Sequence, residues 1–214
     1  MPLELSIVFF ITELVGTIAF SISGAMLAIQ RQLDLFGVVF LGSITAIGGG
    51  ITRDLLLGQI PPQSFVDYLY PLIAALTAAL VFLLVALRQR RNKPLQLIND
   101  GILNVFDAAG LGIFSVIGVQ STVQAGFGSN AFFCVFLGMT TGVGGGILRD
   151  VLSHATPAVL RKHIYALASL AGALCYYLLR TQMPTASVLL SVALVVVLRV
   201  LASHYRWTLP RISL

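Results

Sequence analysis

Seven long apolar segments constrain the fold of this chain more than any other feature of its sequence. Each holds about 20 residues with few charges, the length that an α-helix needs to cross the hydrocarbon core of a membrane. Continuous apolar runs of this kind differ from the short alternating strands of a transmembrane barrel. We therefore predict an all-α integral membrane protein with seven transmembrane helices. The predicted spans lie at about residues 5–29, 35–57, 68–87, 97–123, 131–152, 163–179 and 185–203.

The composition excludes an ordinary soluble domain. Of the 214 residues, 57% are hydrophobic and 10% are charged, whereas soluble domains carry about 25% charged residues. No lysine or arginine precedes Arg31, and the first apolar run is longer than the hydrophobic region of a signal peptide. We therefore keep that run as a true span and expect residues 1–214 to form a single transmembrane domain.

Basic residues predict the orientation of the chain. They follow the first, third and fifth spans and occur in the C-terminal tail, whereas the loops of the opposite side contain only Arg180. Under the positive-inside rule the basic side is cytoplasmic, so we expect the N-terminus outside and the C-terminus in the cytoplasm of a bacterial or archaeal inner (cell) membrane. The run at residues 88–93 could also bind anionic lipid headgroups. The basic residues are Arg31, Arg88, Arg90, Arg91, Lys93, Arg161, Lys162, Arg206 and Arg211.

The chain contains an internal repeat. The stretch GGGITRDLLLG at residues 48–58 matches GGGILRDVLSH at residues 144–154. Spans 1–3 and spans 4–6 thus form two copies of one unit, at about residues 5–87 and 97–179, and the seventh span stands outside the repeat. Because each unit has an odd number of spans, the two copies enter the membrane from opposite sides, as in the inverted repeats of many transport proteins. Further matches join Glu13, Gly16, Phe20, Ser21 and Gly24 to Asp107, Gly110, Phe114, Ser115 and Gly118.

The two glycine triplets lie inside apolar spans. Glycine in a membrane helix often permits close contact between helices, and that explanation remains open. Three glycines in succession also lower helix propensity by roughly 1 kcal/mol each, which favours a kink or a break in the helix. A break would free backbone carbonyls, which must then bind protein, water or ions.

Oxygen atoms at such a break would suit a monovalent cation. Carbonyl and hydroxyl oxygens replace the hydration shell of such ions in channel filters, so we expect a transient monovalent cation near the triplets and no fixed metal site. The two threonines of this set could instead bond to their own helix backbone. The predicted pore and kink residues are Gly48, Gly49, Gly50, Thr45, Gly144, Gly145, Gly146 and Thr141.

An Arg-Asp pair follows each triplet. Neighbouring residues of a helix point about 100° apart, so we expect Arg53 and Asp54 not to neutralise each other well, and each to need another partner. Similar depths in the membrane predict cross-helix pairs that close the two ends of a path, with the aspartates capping freed amides or attracting cations. A purely structural role, in which the charges only join neighbouring helices, remains open. The predicted pairs are Glu13 with Arg53 and Asp107 with Arg149, and the remaining aspartates are Asp54 and Asp150.

The doubled GGG-x-x-RD pattern in a chain with seven spans resembles the prokaryotic branch of the trimeric intracellular cation (TRIC) channel family, whose bacterial members also carry a glycine-transporter-like domain name. The resemblance covers spans 1–6. It implies a homotrimer in the lipid bilayer, with a pore in each protomer between the two inverted repeats. It also implies kinked second and fifth helices and permeability to K⁺, Na⁺ or other monovalent cations, and it assigns functional roles to both triplets and both Arg-Asp pairs.

Three functions remain open at this point. The first is a passive channel for monovalent cations. The second is a carrier for a small neutral amino acid such as glycine, whose carboxylate could bind the half-helix N-termini after each triplet. The third is an intramembrane enzyme or receptor-like scaffold. The chain has no HExxH, GxSxG or Walker-type motif, so we expect no enzyme and no cofactor. Its loops account for the net charge of +5 without nucleic acid.

Overall fold

The computed structural model describes residues 3–91, 99–161, 164–205 and 207. Within these ranges the chain has nine α-helices, one short π-helical segment and no strand. The predicted basic side includes Lys93, Lys162, Arg206 and Arg211, which lie outside the described residues. The helices are α1 (Leu3–Gln30), α2 (Leu35–Leu56), α3 (Gln63–Val66), α4 (Leu69–Arg90), α5 (Asp100–Thr122), α6 (Ala131–Leu152), α7 (Ala158–Arg161), α8 (Ile164–Leu179) and α9 (Pro184–His204), and the π-helical segment is Val123–Phe127.

Six of the seven predicted spans correspond to helices that are long and apolar enough to cross a membrane, namely α1, α2, α4, α5, α6 and α9. The sixth predicted span corresponds to α8, which has 16 residues and is therefore slightly shorter than a usual spanning helix of about 17–25 residues. The short helices α3 and α7 were not predicted. The protein is thus an all-helical, multi-pass membrane protein.

Short polar side chains fix the starts of three long helices. The carboxylate of Asp34 accepts a hydrogen bond from the amide of Gly37 at 2.8 Å, and the side chain of Asn99 accepts one from Gly101 at 2.8 Å. Asn130 caps α6 in the same way. The first amides of a helix have no partner within the helix, so these caps define where α2, α5 and α6 begin.

Helix α5 lies at the centre of the molecule. It contacts α1, α6, α8 and α9, and it is the most deeply buried of the long helices, whereas α4 is the least buried. Helix α9 packs against α5 and α8, and therefore on the second unit. Large apolar side chains of α4 and α9 are exposed, for example Leu76 and Leu189. Such faces suit contact with lipid or with another membrane helix.

The two units use the same contact between their first and second helices. A Cβ atom added to Gly24 of α1 would lie 2.5 Å from Oγ1 of Thr45 in α2. A Cβ atom added to Gly118 of α5 would lie 2.6 Å from Oγ1 of Thr141 in α6. Small residues thus bring the helices of each pair close together, and the aligned positions of the repeat occupy matching places.

Candidate functional site

Both glycine triplets lie within uninterrupted α-helices. Helix α2 continues from Leu35 to Leu56 and α6 from Ala131 to Leu152, with helical residues throughout each triplet. The predicted helix break is therefore absent from both helices. The hydroxyls of the two threonines donate to their own helices, at 2.6 Å to the carbonyl oxygens four residues earlier, which is the alternative that the sequence had left open. These bonds join Thr45 to Leu41 and Thr141 to Leu137.

The triplets allow α2 and α6 to cross in direct backbone contact. A Cβ atom on Gly49 would overlap the carbonyl oxygen of Thr141, and one on Gly145 would overlap that of Thr45. A Cβ atom on Gly144 would lie 3.1 Å from Cα of Gly49. The order of these contacts shows that α2 and α6 run antiparallel. Close contact between helices is therefore the physical reason why the triplets remain helical.

Equivalent phenylalanines of the two units stack beside this crossing. The rings of Phe20 in α1 and Phe114 in α5 have centroids 5.3 Å apart and planes 18° apart. A Cβ atom on Gly145 would lie 3.4 Å from the ring of Phe20, so the stack adjoins the contact between α2 and α6. Both rings are buried. The centre of the molecule is therefore closed by aromatic rings and by backbone.

A cavity lies at each end of the crossing. The first has a volume of about 30 Å³, enough for only one or two water molecules, and the second has a volume of about 520 Å³. Because α2 and α6 are antiparallel, the ends that carry Arg53 and Arg149 point in opposite directions. The first cavity is lined by residues that include Glu13, Thr17, Gly50, Arg53, Tyr70 and Phe114. The second is lined by residues that include Gln30, Arg31, Asp100, Arg149, Asp150 and His154.

Three neighbouring side chains hold Arg149 in the second cavity, and a fourth binds one of these three. Its Nη1 donates to Oδ1 of Asp107 at 2.5 Å and to Oγ of Ser23 at 2.6 Å. Its Nε and Nη2 lie 2.9 Å from Oδ1 of Asp150. The hydroxyl of Tyr165 donates to the same oxygen of Asp107 at 3.2 Å. The structure thus brings Asp107 and Arg149 together, as their matched depths predict.

Arg53 has a different set of partners. Its Nε and Nη2 each lie 2.8 Å from Oδ1 of Asp54, and the ion pairs found in the described part of the chain do not join it to Glu13. Glu13 is instead hydrogen-bonded to Tyr70, which lines the same cavity. The predicted pair of Glu13 with Arg53 is therefore not formed, because the arginine folds back onto its neighbour.

Both Arg-Asp pairs form ion pairs between adjacent residues, contrary to the expectation from helical angles. The long arginine side chain has several rotatable bonds, and these carry the guanidinium across the 100° that separates the two Cβ directions. The second oxygen of each aspartate accepts a hydrogen bond from the first residue of the next short helix. Asp54 accepts from Gln63 at 2.9 Å, and Asp150 accepts from Ala158 at 2.7 Å. The aspartates therefore do cap amides, but these belong to α3 and α7 rather than to a broken helix.

Arg199 is the main residue of this site that sequence analysis missed. It comes from α9, is 2% exposed, and donates to Oδ1 of Asn104 at 2.6 Å. Its guanidinium lies over the ring of Tyr165, 4.6 Å from the centroid, and its Nη2 lies 3.9 Å from Oδ2 of Asp107. The sequence did contain a signal, since a single arginine inside a long apolar span is a functional candidate.

Comparison with known proteins identifies relatives of the whole chain. A family model described as "Glycine transporter" matches residues 10–86 and again residues 104–181, so it recognises both units. The UPF0126 inner membrane protein YadS of Escherichia coli K12 is 38% identical and covers 94% of this chain and 95% of its own length. A UPF0126 membrane protein of Deinococcus radiodurans is 41% identical, and the match covers 78% of this chain and 74% of the length of that relative.

Solved structures show the same fold. A structure described as the basis for conductance through TRIC cation channels is 34% identical, with a TM-score of 0.79, and covers 96% of this chain and 98% of its own. The TRIC trimeric intracellular cation channel orthologue from Rhodobacter sphaeroides is 29% identical, with a TM-score of 0.83, and covers 94% and 99% of the two chains.

The fold, the site and these matches define a multi-pass helical membrane protein with two copies of one recognisable unit. At the level of the family, the relatives are channels rather than enzymes. The chain belongs to the prokaryotic TRIC family, which the matching family model describes as "Glycine transporter".

Proposed function

We propose that this protein is a passive channel for monovalent cations, permeable to K⁺, with a pore in each protomer between the two units. The observation that supports this most directly is the pair of cavities at opposite ends of the α2–α6 crossing, each lined by at least one carboxylate and at least one arginine. Carboxylates at the mouths of a narrow path attract cations. The solved relatives are described as cation channels, which agrees with this function.

The proposed path runs from the Glu13 cavity, past Thr17, to the Arg149 cavity. In the present state it is closed, because the stack of Phe20 on Phe114 and the backbone contact between α2 and α6 lie between the cavities. If the two helices separate, the carbonyl oxygens that now meet the glycines would face the path. Oxygen atoms of this kind coordinate dehydrated monovalent cations, and the triplets would then act as pore residues without any helix break.

The proposed assembly is a homotrimer of single-domain protomers in the bacterial inner membrane. The relative from Rhodobacter sphaeroides is described as trimeric, and the relative from Escherichia coli is named an inner membrane protein. Each protomer would have seven spans, with α8 as the sixth, an outer N-terminus and a cytoplasmic C-terminus. Arg31 lines the larger cavity, so in this topology that cavity would face the cytoplasm, as the positive-inside rule favours.

Cysteine labelling tests this topology. Gln32 and Ser129 are both exposed, in the loops that follow α1 and the π-helical segment. A membrane-impermeant thiol reagent is expected to label Ser129→Cys in intact cells and Gln32→Cys only after the membrane is permeabilised. The native Cys134 and Cys175 are free thiols and are replaced by serine in the background. Labelling of both sites from the same side would contradict the inverted arrangement.

The second candidate is a carrier for a small neutral amino acid, which the description of the family model favours. A carrier of the expected type would hold the substrate carboxylate at half-helix N-termini after each triplet. Helices α2 and α6 have no such N-termini, because both continue through their triplets. The geometry therefore favours the channel.

Reconstitution separates the two functions. The purified protein is placed in planar bilayers in symmetric KCl, and in liposomes for uptake of radiolabelled glycine, with protein-free membranes as the control. A channel gives discrete unitary currents and no saturable glycine uptake. Saturable uptake without unitary current would overturn the proposal in favour of the carrier.

A further inference from the structure

We infer that Arg199 is the second partner of Asp107. It forms the ion pair with the Asp107 carboxylate when Arg149 moves away and opens the second cavity toward the path. This inference rests on the proposed channel function. It makes Arg199 a positioning residue, which acts on permeation through Asp107 rather than by contact with the ion. It also gives a role to α9, which stands outside the two repeated units.

The geometry around Asp107 allows such an exchange of partners. In the closed state Oδ1 of Asp107 binds Arg149. Oδ2 lies 3.9 Å from Nη2 of Arg199, which is within the range of an ion pair but too long for a hydrogen bond. Among the described residues, Nε of Arg199 is buried without a hydrogen-bond partner. A small movement would let Arg199 use this free donor on the second oxygen of Asp107.

Other contacts keep Arg199 close to Asp107 while Arg149 moves. Asn104 lies one helical turn before Asp107 and accepts a hydrogen bond from Arg199 at 2.6 Å. The ring of Tyr165 lies under the guanidinium, and cation–π contacts of this kind are favourable. Arg149, by contrast, lines the large cavity and belongs to α6, the helix that must separate from α2. Of the two arginines, Arg149 is therefore the one whose position changes on opening.

An exchange of this kind is needed because opening would otherwise leave a bare carboxylate inside the membrane. An unpaired charge at that depth is costly, and the loss of its partner would shift the closed–open equilibrium toward the closed state by more than about tenfold. Arg199 removes most of this penalty. It keeps Asp107 paired with an arginine in both states.

The other end of the path has no matching arginine in the described chain, since α9 packs mainly on the second unit. There Glu13 has Tyr70 as its partner and Arg53 is bound to its own neighbour. Opening at the Glu13 end therefore breaks no cross-helix ion pair. The inner end, around Asp107, accordingly controls opening.

Single-channel recording of reconstituted protein tests this role. Arg199→Gln is expected to lower the open probability by about tenfold or more while unitary conductance stays unchanged. Arg199→Lys, which retains the positive charge, is expected to restore most of the opening. Asn104→Ala is expected to lower the open probability as well, but less than Arg199→Gln, because Arg199 then loses the hydrogen bond that keeps it close to Asp107.

A mutant cycle with Asp107→Asn distinguishes exchange from a purely structural role. Without the Asp107 carboxylate, Arg199 has no ion pair to form at this position. Arg199→Gln should therefore change the open probability little in the Asp107→Asn background. An equal decrease in both backgrounds, or no decrease in a folded and assembled Arg199→Gln protein, would overturn the inference. If Arg199→Gln fails to assemble, Asn104→Ala is the deciding variant, since an unchanged or raised open probability in that protein would also overturn the inference. A wild-type protein without any current would instead refute the proposed channel.

Discussion

Alanine at Gly49 or Gly145 is expected to destabilise the protein by at least about 1–3 kcal/mol, the usual cost of forcing an extra carbon into a filled interior. The added Cβ atom would overlap the carbonyl oxygen of Thr141 in the first case and of Thr45 in the second. Backbone atoms cannot move aside by changing a rotamer, so relief requires α2 and α6 to separate. We expect a lower melting temperature in detergent for both variants.

Gly50→Ala is the matched control within the same triplet. A Cβ atom there would meet nothing closer than the guanidinium of Arg53, at 3.7 Å, which is ordinary van der Waals contact. This variant also gains helix propensity of roughly 1 kcal/mol, so its melting temperature should be equal to that of the wild type or slightly higher. If Gly49→Ala and Gly50→Ala behave alike, backbone contact at the crossing does not explain the triplet.

Leucine at Gly49 or Gly145 extends the same test to permeation. The larger side chain would occupy the proposed path between the cavities, so currents should fall below those of the wild type. Normal currents from a folded, assembled double leucine variant would show that these glycines lie outside the pore.

The fold could be predicted largely from the sequence because each span is long, apolar and bounded by charges or turn residues. The structure finds helices at all seven predicted segments, although α8 has 16 residues. The short helices α3 and α7 could not be predicted, since a single turn has too few residues to show a periodic pattern. Each of them begins where an aspartate from the preceding long helix caps its first amide.

Helix propensity alone wrongly predicted a break in the helix at each glycine triplet. Three glycines weaken an isolated helix, but here they bring α2 and α6 into backbone contact, and tertiary contacts override propensity. That outcome depends on a partner helix almost 100 positions away in the chain, which local sequence does not specify. The internal repeat did indicate this contact, because the two glycine triplets, which are equivalent in the repeat, contact each other.

Depth in the membrane predicted only one of the two cross-helix charge pairs. Asp107 and Arg149 pair as expected, whereas Arg53 has Asp54 as its ion-pair partner among the described residues. The two ends also differ in what the rest of the chain supplies. Ser23 and Arg199 approach the Asp107 end from α1 and α9, and only three-dimensional structure shows that helices so distant in sequence meet there.

Arg149→Ala is expected to be the most damaging single change at the charged sites, with a loss of stability of about 3–5 kcal/mol. It removes a buried guanidinium from two aspartates at once, Asp107 and Asp150. Arg53→Ala is the matched control in the other unit, and it should cost less because it leaves only Asp54 without its ion-pair partner. Melting temperatures and the fraction of assembled protein measure both effects. A greater loss for Arg53→Ala would contradict this ranking of the two clusters.

Neutralising Asp107 in the Arg149→Ala protein then separates a gate from a structural contact. Arg149→Ala leaves Asp150 without an ion-pair partner and leaves Asp107 dependent on Arg199 alone. Asp107→Asn removes one of these two carboxylates, so the double variant should recover part of the lost stability and assembly. If the recovered protein conducts with normal selectivity and normal opening, the ion pair only joins α5 to α6. If it assembles but stays open, or loses its preference for cations, the pair belongs to the gate. We expect the open phenotype, because Arg149 lines the large cavity and is the only arginine that holds Asp107 by a direct hydrogen bond in the described structure.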